Sequence, residues 1–298
     1  MDTYDVVVIG AGPAGENAAQ YAIQGSERTA AIVEAELVGG ECSYWACMPS
    51  KALLRPVEVL DGARALPGVA QMLSGSLDVE AVLERRDNFT HRHDDSGQVK
   101  WASDHGIDVI RGGARLAGEK TVEVTTPDGD VLTLHAREAV VTGYALLTYM
   151  SKYQARIAGD VIAARAEGRS IDGVRYRDVA DHDMVPAVIF ADPQVASVGL
   201  SEAQARERAI DVEALEYDLA SIGGAHLLRD DYEGRAKLVV DRVTDTLVGA
   251  TFVGPEVAEL LHAATVAVVG KVPLETLWHA VPSYPTVSEI WLRLLESR

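Results

Sequence analysis

Asp5-Val6-Val7-Val8-Ile9-Gly10-Ala11-Gly12-Pro13-Ala14-Gly15 decides how this chain begins to fold. The unbroken run Val6 to Ile9 is what a parallel strand buried on both faces requires. Glycines 10, 12 and 15 follow, and then an Ala-rich helix through Tyr21. A second strand, Thr29 to Val33, ends in Glu34, which completes a βαβ start. Glycines at that turn allow a tight bend and let phosphate oxygens approach the backbone and the helix N-terminus. Glu34 lies 19 residues past Gly15, where a carboxylate can accept a hydrogen bond from a ribose hydroxyl. The pattern predicts a dinucleotide site on Gly10, Gly12, Gly15 and Glu34. It does not separate FAD from NAD, and a tight helix–strand packing site without ligand uses the same glycines.

Next along the chain, Gly39-Gly40-Glu41-Cys42-Ser43-Tyr44-Trp45-Ala46-Cys47-Met48-Pro49-Ser50-Lys51 holds both of the protein's cysteines, five positions apart. Five residues of straight helix rise ~7.5 Å, beyond the ~7 Å Cα limit for a disulfide. A paired Cys42 and Cys47 therefore need a backbone that curls between them, just after the Gly39-Gly40 turn. Pro49 has no N–H to donate and suits a first helical turn. A helix starting near Cys47 would favour a thiolate there. A redox disulfide, a zinc site and two inert buried thiols are the three chemical readings. Zinc lacks a matching second pair of ligands, so no metal site is expected.

The rest of the chain is coarser. Residues 79 to 105 read as mostly helical, Ile107 to Arg111 as a strand, and Val122 to Val124 and Val131 to Leu134 as a hairpin about Pro127-Asp128-Gly129-Asp130. Ala139 to Val141 is a short strand, and Tyr144 to Ala166 is one helix by its apolar spacing. Residues 169–186 are polar and irregular. The expected organisation is a first domain over 1–168, a linker over 169–186 and a mixed strand–helix domain over 187–298.

Composition narrows the partners. Lys and Arg number 27 against 45 Asp and Glu, a net charge of −18, which repels nucleic acid and anionic membrane surfaces. No apolar run approaches the ~20 residues of a membrane span. The opening residues lack a signal-peptide pattern, and two cysteines are too few for a secreted scaffold, so a cytoplasmic protein is expected.

The GGxCx₄CxPSK string resembles the redox-active segment of the pyridine nucleotide–disulfide oxidoreductases, the flavoenzyme family of dihydrolipoamide dehydrogenase, glutathione reductase and mercuric reductase. Phe190 to Glu202, with Leu247 to Ala250 and Val253 to Glu256, is similar to that family's interface domain. The resemblance covers residues 1–142 and 144–298. It implies an α/β fold, an FAD-binding Rossmann-like (ββα) domain followed by an α+β interface/dimerisation domain, and a homodimer. It also implies a Cys42–Cys47 disulfide laid against FAD, with Cys47 facing the flavin, Cys42 meeting substrate and Lys51 near the flavin's reactive nitrogen. FAD contacts would come from Gly10, Gly12, Gly15, Glu34, Gly40, Lys51, Thr142 and Gly143.

Three departures stand out. The family inserts a second glycine-motif domain for NAD(P)H where this chain passes from Val140-Val141-Thr142-Gly143 straight to Tyr144, so roughly 100–200 residues are missing. The Gly-Asp pair that would hold the FAD ribityl chain is gone, and Asp160 lies inside the later helix. Tyr284-Pro285-Thr286 with Glu289 stands where the family carries His-Pro-Thr and Glu, and a tyrosine is a poor base at neutral pH. The expected function is a flavin-dependent thiol–disulfide oxidoreductase without its own NAD(P)H site. Its redox partner would be a small thiol or disulfide, quinone or oxygen. The alternatives are a non-catalytic truncated or engineered member that folds and dimerises, and a nucleotide-binding regulatory module. His91, His93, Asp94 and Asp95 read as a solvated helix end, and Trp45 as a packing residue.

Overall fold

A computed structural model describes residues 2–142, 147–180 and 183–298. The chain divides into two compact units, Met1–Pro56 with Leu77–Val179, and Val57–Ser76 with Ala180–Arg298.

The first unit is built on a six-stranded sheet in the order β3-β2-β1-β6-β5-β4. Its strands are β1 (Asp2–Ile9), β2 (Ala30–Glu34), β3 (Ile107–Arg111), β4 (Gly113–Gly118), β5 (Thr121–Thr125) and β6 (Val131–Thr142). Parallel pairing joins β3, β2, β1 and β6, while β6, β5 and β4 run antiparallel. Alternation in β1 sends Val6 and Val8 to one core with Ala19, Ile32 and Ile107. It sends Val7 to a second core with Val122, Val124 and Leu134. Burial on both faces is why this strand carries no polar residue between Val6 and Ile9.

Among the described residues, this part of the chain also holds the helices α1 (Pro13–Ile23), α2 (Gly40–Tyr44), α3 (Cys47–Arg64), α4 (Val79–Phe89), α5 (Ser96–Asp104) and α6 (Thr148–Ala166). Helices α1 and α6 approach closely because Gly159 faces Tyr21, where an added Cβ would sit 2.6 Å from the tyrosine Cβ. The sequence reading needs correction at three points here. The segments expected as separate strands at 131–134 and 139–141 form one continuous β6, which pairs with β1 on one side and β5 on the other, with a register shift opposite Tyr4 and Val6. Strand β4 was not anticipated. The helix expected from Tyr144 has Thr148 as its first described residue, with Leu147 as its cap, and Tyr144 to Leu146 lie outside the described residues.

The second unit holds a five-stranded antiparallel sheet, β7 (Ala187–Ile189), β8 (Gln194–Gly199), β9 (Val212–Asp218), β10 (Arg235–Asp241) and β11 (Thr246–Gly254), in the order β7-β8-β11-β10-β9. Helices α7 (Glu202–Glu207), α8 (Gly223–Leu228), α9 (Leu261–Val269), α10 (Leu274–Leu277) and α11 (Ile290–Glu296) accompany it. Phe252, Leu238, Leu247, Ile290 and Leu294 are fully buried in its core. Arg229 explains why Val57–Ser76 belongs with this unit: its guanidinium pairs with Asp61 at 2.8 Å and with Asp231 at 2.6 Å. The described residues of 169–186 are irregular apart from one turn of tight helix at Val174–Tyr176.

Candidate functional site

The glycine turn after β1 and the cysteine turn before α3 share one cleft of about 290 Å³, lined by Gly10, Gly12, Gly15, Cys42, Cys47 and Thr148 among others. Gly10 takes φ +95°, a conformation glycine alone adopts freely, and its N–H donates to Val33 O at 2.8 Å. At Gly15 an added Cβ would lie 1.9 Å from Gly10 O, so the turn closes only with glycine there. Gly12 differs: it caps α1, lines the cleft, and an added Cβ would meet nothing within 4 Å. The space over Gly12 is therefore open for a ligand, and the N–H groups of the first α1 turn face it.

Gly40, at φ +60°, abuts this loop, and an added Cβ would stand 2.8 Å from Gly12 Cα. Gly39 donates its N–H to Ala11 O at 2.8 Å. Glu34 ends β2, as expected, and its carboxylate is part of the loop. Ala11 N–H donates to Oε2 at 2.7 Å and Glu36 N–H donates to Oε1 at 2.9 Å. Each oxygen keeps lone-pair capacity for a further donor. Thr142 pairs beside Ile9, which lines the cleft, and Gly143 lies outside the described residues.

The curl between the cysteines is a break in the helix. Cys42 sits in the middle of α2, Trp45 ends that helix at φ −120° and ψ −28°, and Cys47 begins α3. Both are half-buried thiols. Cys47 Sγ and Thr148 Oγ1 share a hydrogen bond at 3.3 Å. Their titrations separate. Burial pushes the Cys42 thiol up, and its hydrogen bond to Cys47 adds to that, against smaller opposing effects of Thr148 and Lys152. For Cys47 burial also opposes ionisation. The hydrogen bonds from Cys42 and Thr148, with the charge of Lys51 one turn on, overcome it and hold this thiol below its ordinary range. The negative charge of the reduced pair therefore belongs on Cys47, at the start of an 18-residue helix. Lys51 itself is exposed and does not line the cleft; its Nζ lies 3.4 Å from Ser50 Oγ.

Other expected residues sort as follows. Tyr284 is 78% exposed, its hydroxyl beside Gly223, whose added Cβ would be 3.6 Å away. Glu289 is buried; Oε1 accepts from Arg293 Nη2 at 2.6 Å, while Oε2 has no hydrogen-bond partner among the described residues. Asp160 is engaged by Arg175 at 2.8 and 2.9 Å. Asp95 binds Arg111 and Val38 N–H, and Asp94 accepts from Ser96 N–H. No group of three metal-ligating side chains occurs among the described residues. Trp45 stacks on His93 with ring centroids 4.3 Å apart. Sequence reasoning missed Thr148 and Ser151, which reach the cleft from α6. Outside the cleft lining, it also missed Glu16, whose half-buried carboxyl is pushed up to about 7 by burial while Lys152 pulls the other way. A carboxylate one residue past a glycine fingerprint was the available signal for Glu16.

A parallel sheet with a glycine cradle, and a dithiol opening onto the same cleft, define a dinucleotide-binding α/β redox class, here followed by an antiparallel module. Residues 4–144 match the pyridine nucleotide-disulphide oxidoreductase profile, and residues 185–294 match that family's dimerisation domain. The chain belongs to the pyridine nucleotide-disulphide oxidoreductase family, a family of oxidoreductases and flavoproteins. Among its relatives is the dihydrolipoyl dehydrogenase of Geobacillus stearothermophilus, 26% identical over 307 residues that cover 98% of this chain and 60% of the relative. The chain thus spans about three fifths of that protein. The dihydrolipoyl dehydrogenase of Rhizobium etli is 24% identical over 465 aligned positions, covering 97% of this chain and 96% of the relative. In fold, the chain is similar to the HOCl-induced flavoprotein disulfide reductase RclA of Escherichia coli, solved as a Cu(II) complex, with TM-score 0.78, 16% identity and 99% of both chains covered. It is likewise similar to LpdA of Mycobacterium tuberculosis, with TM-score 0.78, 13% identity and the same coverage. No described helix is long and apolar enough to cross a membrane.

Proposed function

We propose that the protein is a flavin-dependent thiol–disulfide oxidoreductase that works through Cys42 and Cys47 without an NAD(P)H site of its own. The observation that carries this reading is the shared cleft: two thiols of opposed acidity open onto the same space as the glycine cradle. The residues present fit the phosphate-bearing half of FAD. Gly12 leaves open space, the α1 N-terminus offers N–H groups, and Glu34 keeps acceptor capacity for a ribose hydroxyl. When bound, FAD supplies the two-electron exchange that resets the thiol pair.

The chain's own chemistry is two thiol exchanges. A substrate thiolate attacks Cys42 Sγ of the oxidised pair, forming a mixed disulfide and expelling the Cys47 thiolate. The second substrate thiol gives up its proton and attacks the substrate sulfur bound to Cys42, closing the substrate disulfide, and the departing Cys42 sulfur takes that proton. Two electrons pass from the substrate to the pair. Thr148 and Lys51 hold the charge on Cys47 once it is expelled. We assign Tyr284 and Glu289 to the substrate side by family resemblance, and take the working form as a cytoplasmic homodimer. Exposed Leu227, Val266, Trp278 and Val281 on the second unit support dimerisation. Quinone, oxygen or a small disulfide would accept the electrons. The absence of an NAD(P)H site is supported by the 465 aligned positions of the Rhizobium relative against 298 residues here.

A non-catalytic member that folds and dimerises is the competing reading. It is favoured by the size of the cleft, at the low end of the ~300–1,000 Å³ of small-molecule sites. The visible spectrum separates the two. A flavin band that gains long-wavelength absorbance with dithiothreitol, and does not respond to NADPH, supports the enzyme. A featureless spectrum after added FAD rejects it.

A further inference from the structure

The turn that leads into α5 is made of residues that do not favour its shape. His91, Arg92 and His93 take φ of +49°, +53° and +62°, three successive left-handed residues that each carry a Cβ. Glycine enters that region freely and other residues do not, so the turn has little local support. Two backbone hydrogen bonds close it, His93 N–H to Thr90 O at 2.9 Å and Asp94 N–H to His91 O at 3.0 Å. Conformations of this kind persist where the surrounding structure imposes them. Here the surroundings belong to the cysteine segment.

Two contacts join the turn to that segment. The His93 ring stacks on Trp45 with centroids 4.3 Å apart and planes at 30°, and the Tyr44 ring lies 6.2 Å from His93. Asp95, two residues on, accepts from Val38 N–H at 2.7 Å and from Arg111 Nη2 at 2.6 Å. Tyr44 donates its hydroxyl to Val38 O at 3.1 Å, tying the same points together. Val38 precedes the Gly39-Gly40 turn, and Trp45 is where the helix breaks between Cys42 and Cys47. The turn therefore grips the segment ahead of Cys42 and again behind it. Burial does not account for the stack, because Trp45 is 58% exposed and His93 is exposed too.

We infer that the His91–His93 turn braces the thiol pair, and that His93 is a positioning residue acting through Trp45 on the spacing of Cys42 and Cys47. The inference rests on the thiol–disulfide reading of that pair. A straight helix would hold the two cysteines too far apart to bond, and the break at Trp45 brings the chain round. The thiols already stand within hydrogen-bond reach of each other. A break held still keeps one sulfur close to the other, raising its effective concentration and favouring the disulfide over the dithiol. A break set free samples wider geometries, and the disulfide becomes easier to reduce. His93 need not touch either sulfur to do this.

The test is equilibration of the full chain with glutathione and glutathione disulfide at fixed pH, then alkylation of free thiols and measurement of mass. In that exchange two glutathione thiols pass two electrons and two protons to the Cys42–Cys47 disulfide and leave as glutathione disulfide. His93→Ala should shift the equilibrium about threefold to tenfold toward the dithiol. His93→Phe keeps a ring against Trp45 and should restore the wild-type position. Arg92→Ala lies in the same turn, with its guanidinium toward Glu84 at 3.5 Å, and should not move it. Equal constants for wild type and His93→Ala would overturn the inference and leave the thiol reading standing. A shift as large in His93→Phe or in Arg92→Ala would also overturn it, because neither change takes the ring from Trp45. A pair that forms no intramolecular disulfide at any glutathione ratio would overturn the thiol reading and the inference with it.

Discussion

Thr148 Oγ1 lies 3.3 Å from Cys47 Sγ, a contact made across 101 positions of sequence. It couples the first turn of α6 to the thiol that starts α3. A hydroxyl there stabilises the thiolate against the burial that opposes it.

Thr148→Val keeps the side-chain shape and removes that hydrogen bond. The Cys47 titration should move upward, and alkylation of Cys47 by iodoacetamide near neutral pH should slow several-fold. Thiolate absorbance in the ultraviolet, followed against pH, reads the same change. An unaltered titration would show that Lys51 and Cys42 suffice.

Gly12 and Gly15 should respond in opposite ways to alanine. Gly15→Ala forces a Cβ onto Gly10 O and should cost at least ~2 kcal/mol of stability. Gly12→Ala meets open space at an ordinary φ of −73°, so stability should stay within about 0.5 kcal/mol while nucleotide affinity falls. Urea unfolding and FAD binding, measured on both variants, check the pair. Normal FAD binding by Gly12→Ala would count against the cradle.

Glu16 should leave a signature in stability. Its folded titration, about 7, lies above the ordinary 4.5. The folded state therefore holds the proton more tightly. That contribution to stability is fully present below about 4.5 and is lost as pH rises through about 7. Glu16→Gln should be more stable than wild type by about 3 kcal/mol at about pH 8, and equal to it near pH 4. A difference that does not vary with pH would contradict this.

Glu289 offers a different balance. Replacing it with Met breaks the pair with Arg293, but Arg293 also holds Glu296 at 2.8 Å, and the partnerless Oε2 disappears with the carboxylate. The net change in unfolding free energy should be under about 1 kcal/mol, short of the 3–5 kcal/mol typical of a broken buried pair. A larger loss would mean that Oε2 does have a partner in solution.

The start of the fold was legible because local pattern dictates it. Val6 to Ile9 form the expected buried strand, Gly10 and Gly15 make the turn into α1, and Glu34 ends β2. The helix break between Cys42 and Cys47 followed from the reach of a disulfide. Strand β8 escaped notice because Gln194 to Gly199 buries small side chains in alternation, a weak signal beside the branched runs of β10 and β11. Thr148 was illegible for another reason: a single serine-like hydroxyl acquires its role only when two distant helices meet. The long reach of β6 was hidden by Arg137 and Glu138, which interrupt its apolar pattern. Arg137 is accounted for by Asp5, whose carboxylate it meets at 2.7 Å.

Gly40 and Gly12 meet backbone to backbone, with no side chain between them. A lineage that ceased to use the nucleotide seat would be free to acquire a methyl group at Gly12, but any growth on the Gly40 side would wedge the cysteine turn away from it. Gly40 is therefore fixed by the closeness of the cysteine turn to the glycine loop, whatever occupies the open space over Gly12.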